Sequence, residues 1–140
     1  MRLDYFGVVA RAKKKYSAAM EPVCRQWELT RNELDVLLFL YNNPEFDRAA
    51  DIVTHRGMTK SHVSLSVANL ESRALLYRKE DSRDRRAVRL ALTEDARRIA
   101  EAGQQCQIRF FTAIFDGLTQ EDIRFWQSLM ERVCDNIDQL

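Results

Sequence analysis

The pattern of apolar and polar positions divides the chain into six helical segments and one pair of strands. Apolar residues recur at helical spacing over 3–27 and again over 30–41, where Thr30 and Glu33 have the spacing of a capping box. Shorter helices are predicted over 47–57 and from Thr59, and two long amphipathic helices over 94–115 and 120–138. Pro22 predicts either a bend in the first helix or a join between two pieces.

Residues 75–80 and 87–92 are predicted strands, because apolar and polar side chains alternate at Val88, Leu90 and Leu92. The segment that joins them is unusual: eight of the nine residues from Arg78 to Arg86 are charged, with both signs present. Together with the helical segments, this predicts a mainly α fold with a small two- or three-stranded β wing.

The fourth helix has two contrasting faces. Val63, Val67, Leu70 and Ala74 are spaced i, i+4, i+7 and i+11, which predicts one buried face. The opposite face has short side chains and almost no acid: Lys60, Ser61, His62, Ser64, Leu65, Ala68, Asn69 and Ser72. Short polar side chains allow a helix to come close to another surface, and they suit the donors and acceptors of base edges in a DNA major groove.

Composition narrows the class of protein. The chain has 140 residues, enough for one domain with a real core, and its four glycines and two prolines favour helix. We find no apolar run near the roughly 18–20 residues that span a bilayer, and no signal-peptide pattern. We therefore expect a cytoplasmic protein with no membrane partner.

The net charge of +1 hides an uneven distribution. Residues 55–98 contain eleven basic and six acidic side chains, a local net charge of +5, whereas residues 99–140 carry −4. A local basic excess in a nearly neutral chain indicates a polyanion-binding surface, although charge alone fits a solvated face equally well.

The order of these segments is that of a winged helix-turn-helix: short helix, glycine-containing turn, second helix, basic hairpin. Residues 59–94 resemble the multiple antibiotic resistance regulator (MarR) family, because "DSRDRRAVRLALTE" matches the family's wing signature D-x-R-D-x-R. The residues in the four signature positions are Asp81, Arg83, Asp84 and Arg86. "SHVSLSVANLESRALLYR" is similar to the family's recognition helix and first wing strand, and "LTRNELDVLLFL" to its second helix.

The resemblance implies a sequence-specific regulator, usually a repressor, that binds a pseudo-palindromic promoter site in double-stranded DNA as a homodimer. It implies a single domain over 1–140, with a winged helix-turn-helix lobe at 30–92 and a helical dimerisation region at 1–27 and 94–140. The recognition helix would enter the major groove and a wing arginine the minor groove.

Site residues follow from the same match. The residues expected at the major groove and its phosphates are Thr59, Lys60, Ser61, His62, Ser64 and Leu65. On the wing, Arg86 would enter the minor groove and Asp84 would hold it by a charge-assisted hydrogen bond, while Arg83 and Arg85 would meet phosphates.

Three positions depart from the family pattern. Leu65 replaces a residue that is often polar or basic, Ser66 one that is often apolar, and Ala74 the usual glycine. Either Leu65 contacts a thymine methyl group or the fourth helix is slightly rotated.

A small-molecule effector is a further expectation, from relatives that bind one between the dimerisation region and the reading lobe. The aromatic residues that would line such a cleft are Tyr16, Trp27, Phe39 and Phe46, which are equally typical of a core. With histidine only at positions 55 and 62, we predict no metal, no cofactor and no enzymatic activity.

Two alternative functions stay open. One is a winged-helix protein–protein interaction module without DNA binding, which would not need the basic excess. The other is a thiol-based redox-sensing regulator using Cys24, because the neighbouring Arg25 would favour a thiolate. Otherwise Cys24, Cys106 and Cys134 are ordinary thiols, since three widely spaced cysteines are not a disulfide framework.

Overall fold

Six helices and a two-stranded antiparallel sheet make up the part of the chain that the computed structural model describes, residues 4–84 and 86–140. The helices are α1 (Tyr5–Gln26), α2 (Arg31–Asn42), α3 (Ala49–Asp51, continued by a π-helical turn at Ile52–Arg56), α4 (Lys60–Ser72), α5 (Glu94–Ile114) and α6 (Gln120–Asp138). The strands are β1 (Leu76–Glu80) and β2 (Val88–Leu92). The chain forms two compact units, the first ending at Gln107 and the second comprising Ile108–Leu140.

The prediction of a mainly α fold with a small β wing is confirmed. Pro22 lies inside an uninterrupted α1, so it does not mark a join between two helices. The helix bounds of α2 and α6 follow their capping boxes at Thr30 and Thr119, where each hydroxyl accepts a hydrogen bond from the N3 amide.

Helix α2 is the centre of the first unit. All eight residues from Glu33 to Leu40 are buried, so α2 is covered around its whole circumference rather than along one stripe. Helices α1 and α4 and strand β2 pack on it. The position of α4 is therefore set by apolar packing against a helix that has no exposed face over this stretch.

Two buried carboxylates of α2 are satisfied locally. Glu33 accepts a hydrogen bond from the Thr30 amide at 2.9 Å and so completes the capping box. Asp35 accepts a bond from Arg31 at 2.8 Å and forms an ion pair with Arg56 at 3.4 Å. The Asp35–Arg56 pair ties the end of the π-helical turn to α2, as expected of a buried charge that needs a partner.

Polar side chains also connect three helices of the first unit. The amide of Gln104 donates to Asn42 at 2.8 Å, and Asn42 donates to Gln107 at 3.0 Å. Gln107 in turn donates to the hydroxyl of Tyr16 at 2.6 Å. This chain of hydrogen bonds fixes the first part of α5 to α2 and α1.

The end of α4 differs from the prediction. Val63, Val67 and Leu70 are buried as expected, but the helix ends at Ser72, so Ala74 lies outside it and is exposed. Ala74 has φ +54°, in the left-handed region. The chain turns there into β1, a position that favours glycine because a Cβ clashes with the following carbonyl.

The second unit has an exposed apolar surface. None of the residues of α6 is buried, although apolar side chains recur along it at helical spacing, among them Trp126, Leu129 and Val133. Phe115 packs edge-to-face against Trp126, with ring centroids 5.1 Å apart. Within the described residues, no helix has the length and apolar character needed to cross a membrane.

The left-handed backbone conformations of Ala74 and Gly57 can be tested by measuring stability. We expect Ala74→Gly to raise the free energy of unfolding by about 0.5–1 kcal/mol, because it relieves a backbone strain of roughly 1–2 kcal/mol and loses part of this to chain entropy. Gly57→Ala, at φ +73° and with no atom within 4 Å of the added Cβ, should lower it by about 1 kcal/mol. Urea unfolding measures both, and a lower stability for Ala74→Gly would contradict the assigned conformation.

Candidate nucleic-acid interface

Helix α4 begins at a turn that its sequence sets up. Gly57 adopts φ +73° and ends the preceding helical segment, and Thr59 then caps α4 by accepting a hydrogen bond from the His62 amide at 3.2 Å. The hydroxyls of Thr59 and Ser61 lie 3.3 Å apart. Lys60, like these residues, is exposed, so the positive end of the helix dipole and a lysine share one solvent-facing surface.

The helix has the predicted orientation about its own axis. Leu65 is 62% exposed, and its neighbour Ser66 is only 4% exposed. Ser66 therefore occupies the inward position in spite of its hydroxyl group, and α4 is not rotated to bury Leu65. The remaining predicted residues of this face, Ser61, His62 and Ser64, are exposed as well.

The wing tip between β1 and β2 is built from two aspartate turns. The Asp81 carboxylate accepts a hydrogen bond from the Arg83 amide, and the Asp84 carboxylate one from the Arg86 amide, each at 2.9 Å. The Ala87 amide donates to the carbonyl oxygen of Asp84 at 3.1 Å. Asp84 thus holds the main chain of Arg86, whereas the sequence predicted a bond to its guanidinium group.

Two ion pairs fasten this wing to the loop between α2 and α3. Arg48 Nη2 lies 2.8 Å from Asp81 Oδ2, and Arg89 Nε lies 2.7 Å from Asp47 Oδ2. The Leu90 amide also donates to the carbonyl oxygen of Asp47 at 2.7 Å. We call these four side chains, Asp47, Arg48, Asp81 and Arg89, the wing clamp.

The clamp is absent from the sequence prediction. Its partners are 33 and 42 residues apart, and neither Asp47 nor Arg48 belongs to a recognisable motif. The only sign of the clamp in the sequence is that Asp81 occupies a signature position, and the signature does not identify Arg48 as the partner of Asp81.

Hydrogen bonding keeps the Asp81 carboxylate ionised. The Arg83 amide, followed by the side chain of Arg48, holds the pKa of Asp81 below its ordinary value. The contribution of the ionised carboxylate to wing structure is therefore complete above about pH 4, and it is lost as the pH falls through the lowered pKa.

The clamp also decides which arginines stay available. Asp47 pairs with Arg89, Asp81 pairs with Arg48, and Glu71 pairs with Arg78 at 2.8 Å. Within the described residues, no ion pair involves the guanidinium groups of Arg83 or Arg86, and both residues are exposed. Arg85, the remaining predicted wing residue, lies outside the described residues.

The four predicted cleft aromatics all belong to the first unit. Phe39 is part of the buried core, and Tyr16, Trp27 and Phe46 are half-buried and pack against it. The Tyr16 ring has the Arg31 guanidinium 4.5 Å from its centroid, while Phe46 stacks on His55 at 4.3 Å. The effector cleft therefore stays a prediction.

The surroundings of Cys24 do not favour a thiolate switch. Cys24 and Cys106 are buried and Cys134 is exposed, all as free thiols. Burial raises the pKa of the Cys24 thiol, which disfavours the reactive thiolate in spite of an opposing effect from Arg31. Arg25, which the sequence places beside Cys24, forms an ion pair with Glu21 at 3.1 Å.

The helical pair α3–α4 followed by the β1–β2 hairpin defines a winged helix-turn-helix protein. The sequence model of the MarR family matches residues 27–87, which include α2, α3, α4 and β1. The predicted resemblance to the MarR family is therefore confirmed over residues 27–87, which include the wing signature at residues 81–86.

Solved structures of relatives share this fold. A protein from Listeria monocytogenes, complexed with 26mer DNA, has 15% identity and a TM-score of 0.85, over 97% of this chain and 90% of that one. S. aureus MepR in its DNA-binding conformation has 19% identity and a TM-score of 0.84, over 96% of this chain and 99% of that one. Bordetella bronchiseptica BpsR, whose DNA binding is regulated by 6-hydroxynicotinic acid, has 22% identity and a TM-score of 0.72, over 94% of this chain and 99% of that one. Family members are transcription regulators, in agreement with the prediction of a non-enzymatic protein.

Removal of Asp81 tests whether the wing clamp holds the wing tip in one conformation. We expect Asp81→Ala to lower the amide order parameters of Arg83 and Ala87 from about 0.85 to below about 0.6, because it removes the bond to the Arg83 amide and the pair with Arg48. Ser82→Ala, in the same turn, should leave them unchanged. Nitrogen-15 relaxation measures both variants, and an equally rigid Asp81→Ala tip would show that the strands alone fix the wing.

Proposed function

We propose that this protein is a sequence-specific transcription regulator that binds a pseudo-palindromic double-stranded DNA site as a homodimer and acts as a repressor. Helix α4 enters the major groove, and the wing residue Arg86 enters the minor groove. The observation that carries the proposal is the pairing of charges on the wing. Asp81 engages Arg48 and the Arg83 amide, and Asp84 engages the Arg86 amide, which leaves the side chains of Arg83 and Arg86 exposed for a polyanion.

The geometry of α4 supports major-groove entry. A groove about 12 Å wide admits a helix whose outer side chains are short, and the outer face of α4 has this character. The capped N-terminus of α4 offers amides and the side chain of Lys60 to a phosphate. Ser61, His62 and Ser64 follow on the exposed surface as hydrogen-bonding groups for base edges.

The wing supports contact with a second groove. Its strands pair in register from Leu76↔Leu92 to Glu80↔Val88, so the tip projects at the far end of the hairpin. A narrow minor groove has an enhanced negative potential that attracts an inserted arginine. Arg83 and Arg85 would then meet the flanking phosphates, which fix the register of the protein on the duplex.

The comparisons support DNA as the partner. Structures of the relatives include one with a 26mer DNA and one named as a DNA-binding conformation. A protein–protein interaction module does not require the basic excess of residues 55–98, and DNA binding explains it. Cytoplasmic location follows from the proposal, because the regulator acts on promoter DNA.

Homodimerisation accounts for the exposed apolar surface of α6. Trp126, Leu129, Val133 and Ile137 are each between 41% and 55% exposed along one face. An extended apolar stripe of this kind marks an interaction surface in a water-exposed helix. We propose that residues 1–27 and 94–140 form the dimerisation region and that residues 30–92 form the DNA-binding lobe, with one lobe for each half-site.

Selection of bound duplexes from a random library tests the central proposal. We expect a two-fold symmetric site with half-sites about one helical turn apart, on the order of 10 base pairs. A single, asymmetric site would contradict dimeric recognition, and the absence of any enriched duplex would contradict DNA binding.

On the selected site, Arg86→Ala should weaken binding by about 1–3 kcal/mol, the range for a well-placed contact to the bases. Arg124→Ala is the control, because it makes the same charge change on the face of α6 opposite the apolar stripe and should leave affinity nearly unchanged. Titrations of both variants at several salt concentrations measure the affinity and its salt dependence. Each phosphate contact that is lost flattens the slope of log affinity against log salt concentration by about 0.9. Unchanged affinity for Arg86→Ala would exclude the wing from the interface.

A separate prediction concerns the dimer. Val133→Glu should shift the protein towards monomer, because it places a charge in the apolar stripe of α6. Ser128→Glu, exposed on the opposite face of the same helix, should not change association. Sedimentation equilibrium measures the molecular mass, and a stable dimer of Val133→Glu would place the interface elsewhere.

A further inference from the structure

The outer face of α4 contains one side chain that does not match its surroundings. Ser61, Leu65, Ala68 and Ser72 are spaced i, i+4, i+7 and i+11 and form the stripe opposite the buried one. Three of these side chains are small, and Leu65, at 62% exposure, is the large one among them.

Packing inside the protein does not explain Leu65. The inner stripe of α4 is already complete, because Val63, Val67 and Leu70 are at most 2% exposed. A single exposed leucine is ordinary on a protein surface. This one, however, lies at the centre of the face that we propose enters the major groove, with hydrogen-bonding groups on either side.

The chemistry of the major groove limits what Leu65 can contact favourably. Adenine, guanine and cytosine present donors or acceptors there, which an approaching leucine would desolvate without compensation. Thymine presents a C5-methyl group, an apolar surface that a leucine can bury. Small neighbours at Ser61 and Ala68 permit the close approach that such a short side chain needs.

We propose that Leu65 is a specificity-determining residue that selects thymine at one position of each half-site through contact with its 5-methyl group. This inference rests on the proposed function, since it requires α4 to enter the major groove. It assigns apolar discrimination to Leu65 and hydrogen-bonded discrimination to the flanking residues Ser61, His62 and Ser64.

Replacement of thymidine by deoxyuridine provides a direct test, because it removes the 5-methyl group of the base and leaves base pairing intact. Each thymine of the selected site is replaced in turn, symmetrically in both half-sites, and affinity is measured at one salt concentration. We expect one position at which the replacement weakens binding of the unaltered protein by about fourfold per half-site, the factor for ~0.8 kcal/mol per buried methyl-sized group.

Three variants distinguish the methyl contact from other effects. Leu65→Ala should bind the thymine site more weakly and lose the penalty for deoxyuridine at that position. Leu65→Met, which keeps an apolar side chain of similar volume, should retain the penalty, and Leu65→Gln should lose it. Because Leu65 is exposed, we expect all three to unfold at nearly the temperature of the unaltered protein.

The outcomes separate this inference from the proposed function. If the unaltered protein selects a symmetric site but no thymine shows a methyl dependence, or if Leu65→Ala keeps the same dependence, the assignment to Leu65 is wrong and DNA binding stands. If no duplex is selected at all, the proposed function itself fails.

Discussion

Burial of α2 is the constraint on which the rest of the DNA-binding lobe depends. Eight consecutive residues of this helix, Glu33–Leu40, have no solvent-exposed face, so α1, α4 and β2 must all pack around it. The inner stripe of α4 is used in that packing, which leaves the opposite stripe to solvent. Packing in the core therefore does not constrain the residues of the outer face. Their small, polar character is explained by the DNA surface that we propose α4 contacts.

Acidic residues on the wing and on the loop beside it act as structural groups. Asp81 engages Arg48 and the Arg83 amide, Asp84 engages the Arg86 amide, and Asp47 engages Arg89. A hairpin of arginines alone would repel itself and would have no fixed conformation. Carboxylates that bind Arg48, Arg89 and main-chain amides instead fix the wing without covering the side chains of Arg83 and Arg86. Mixed charge at the tip is thus compatible with a polyanion-binding surface.

Much of the fold could be predicted from local sequence signals. The capping box at Thr30 predicted the start of α2, because side-chain and main-chain groups within one turn determine it. Ala74 was misplaced because the helical spacing continues past Ser72, while the real end of α4 is set by the chain turning into β1. Arg48 and Asp47 could not be found, since their partners on the wing are brought near by tertiary packing alone. The hydrogen bond that the Arg86 amide donates to Asp84 was missed because turn geometry, which the signature residues alone do not define, determines it.

Chemical-shift mapping of the full chain with its selected duplex is the most direct test of the central claim, that α4 and the wing together form the surface that binds DNA. We expect the largest amide shifts at residues 59–69 and 81–87, and little change at the amides of the α2 segment Glu33–Leu40, because that segment is buried. Shifts confined to α6, or to the wing alone with α4 unaffected, would contradict it.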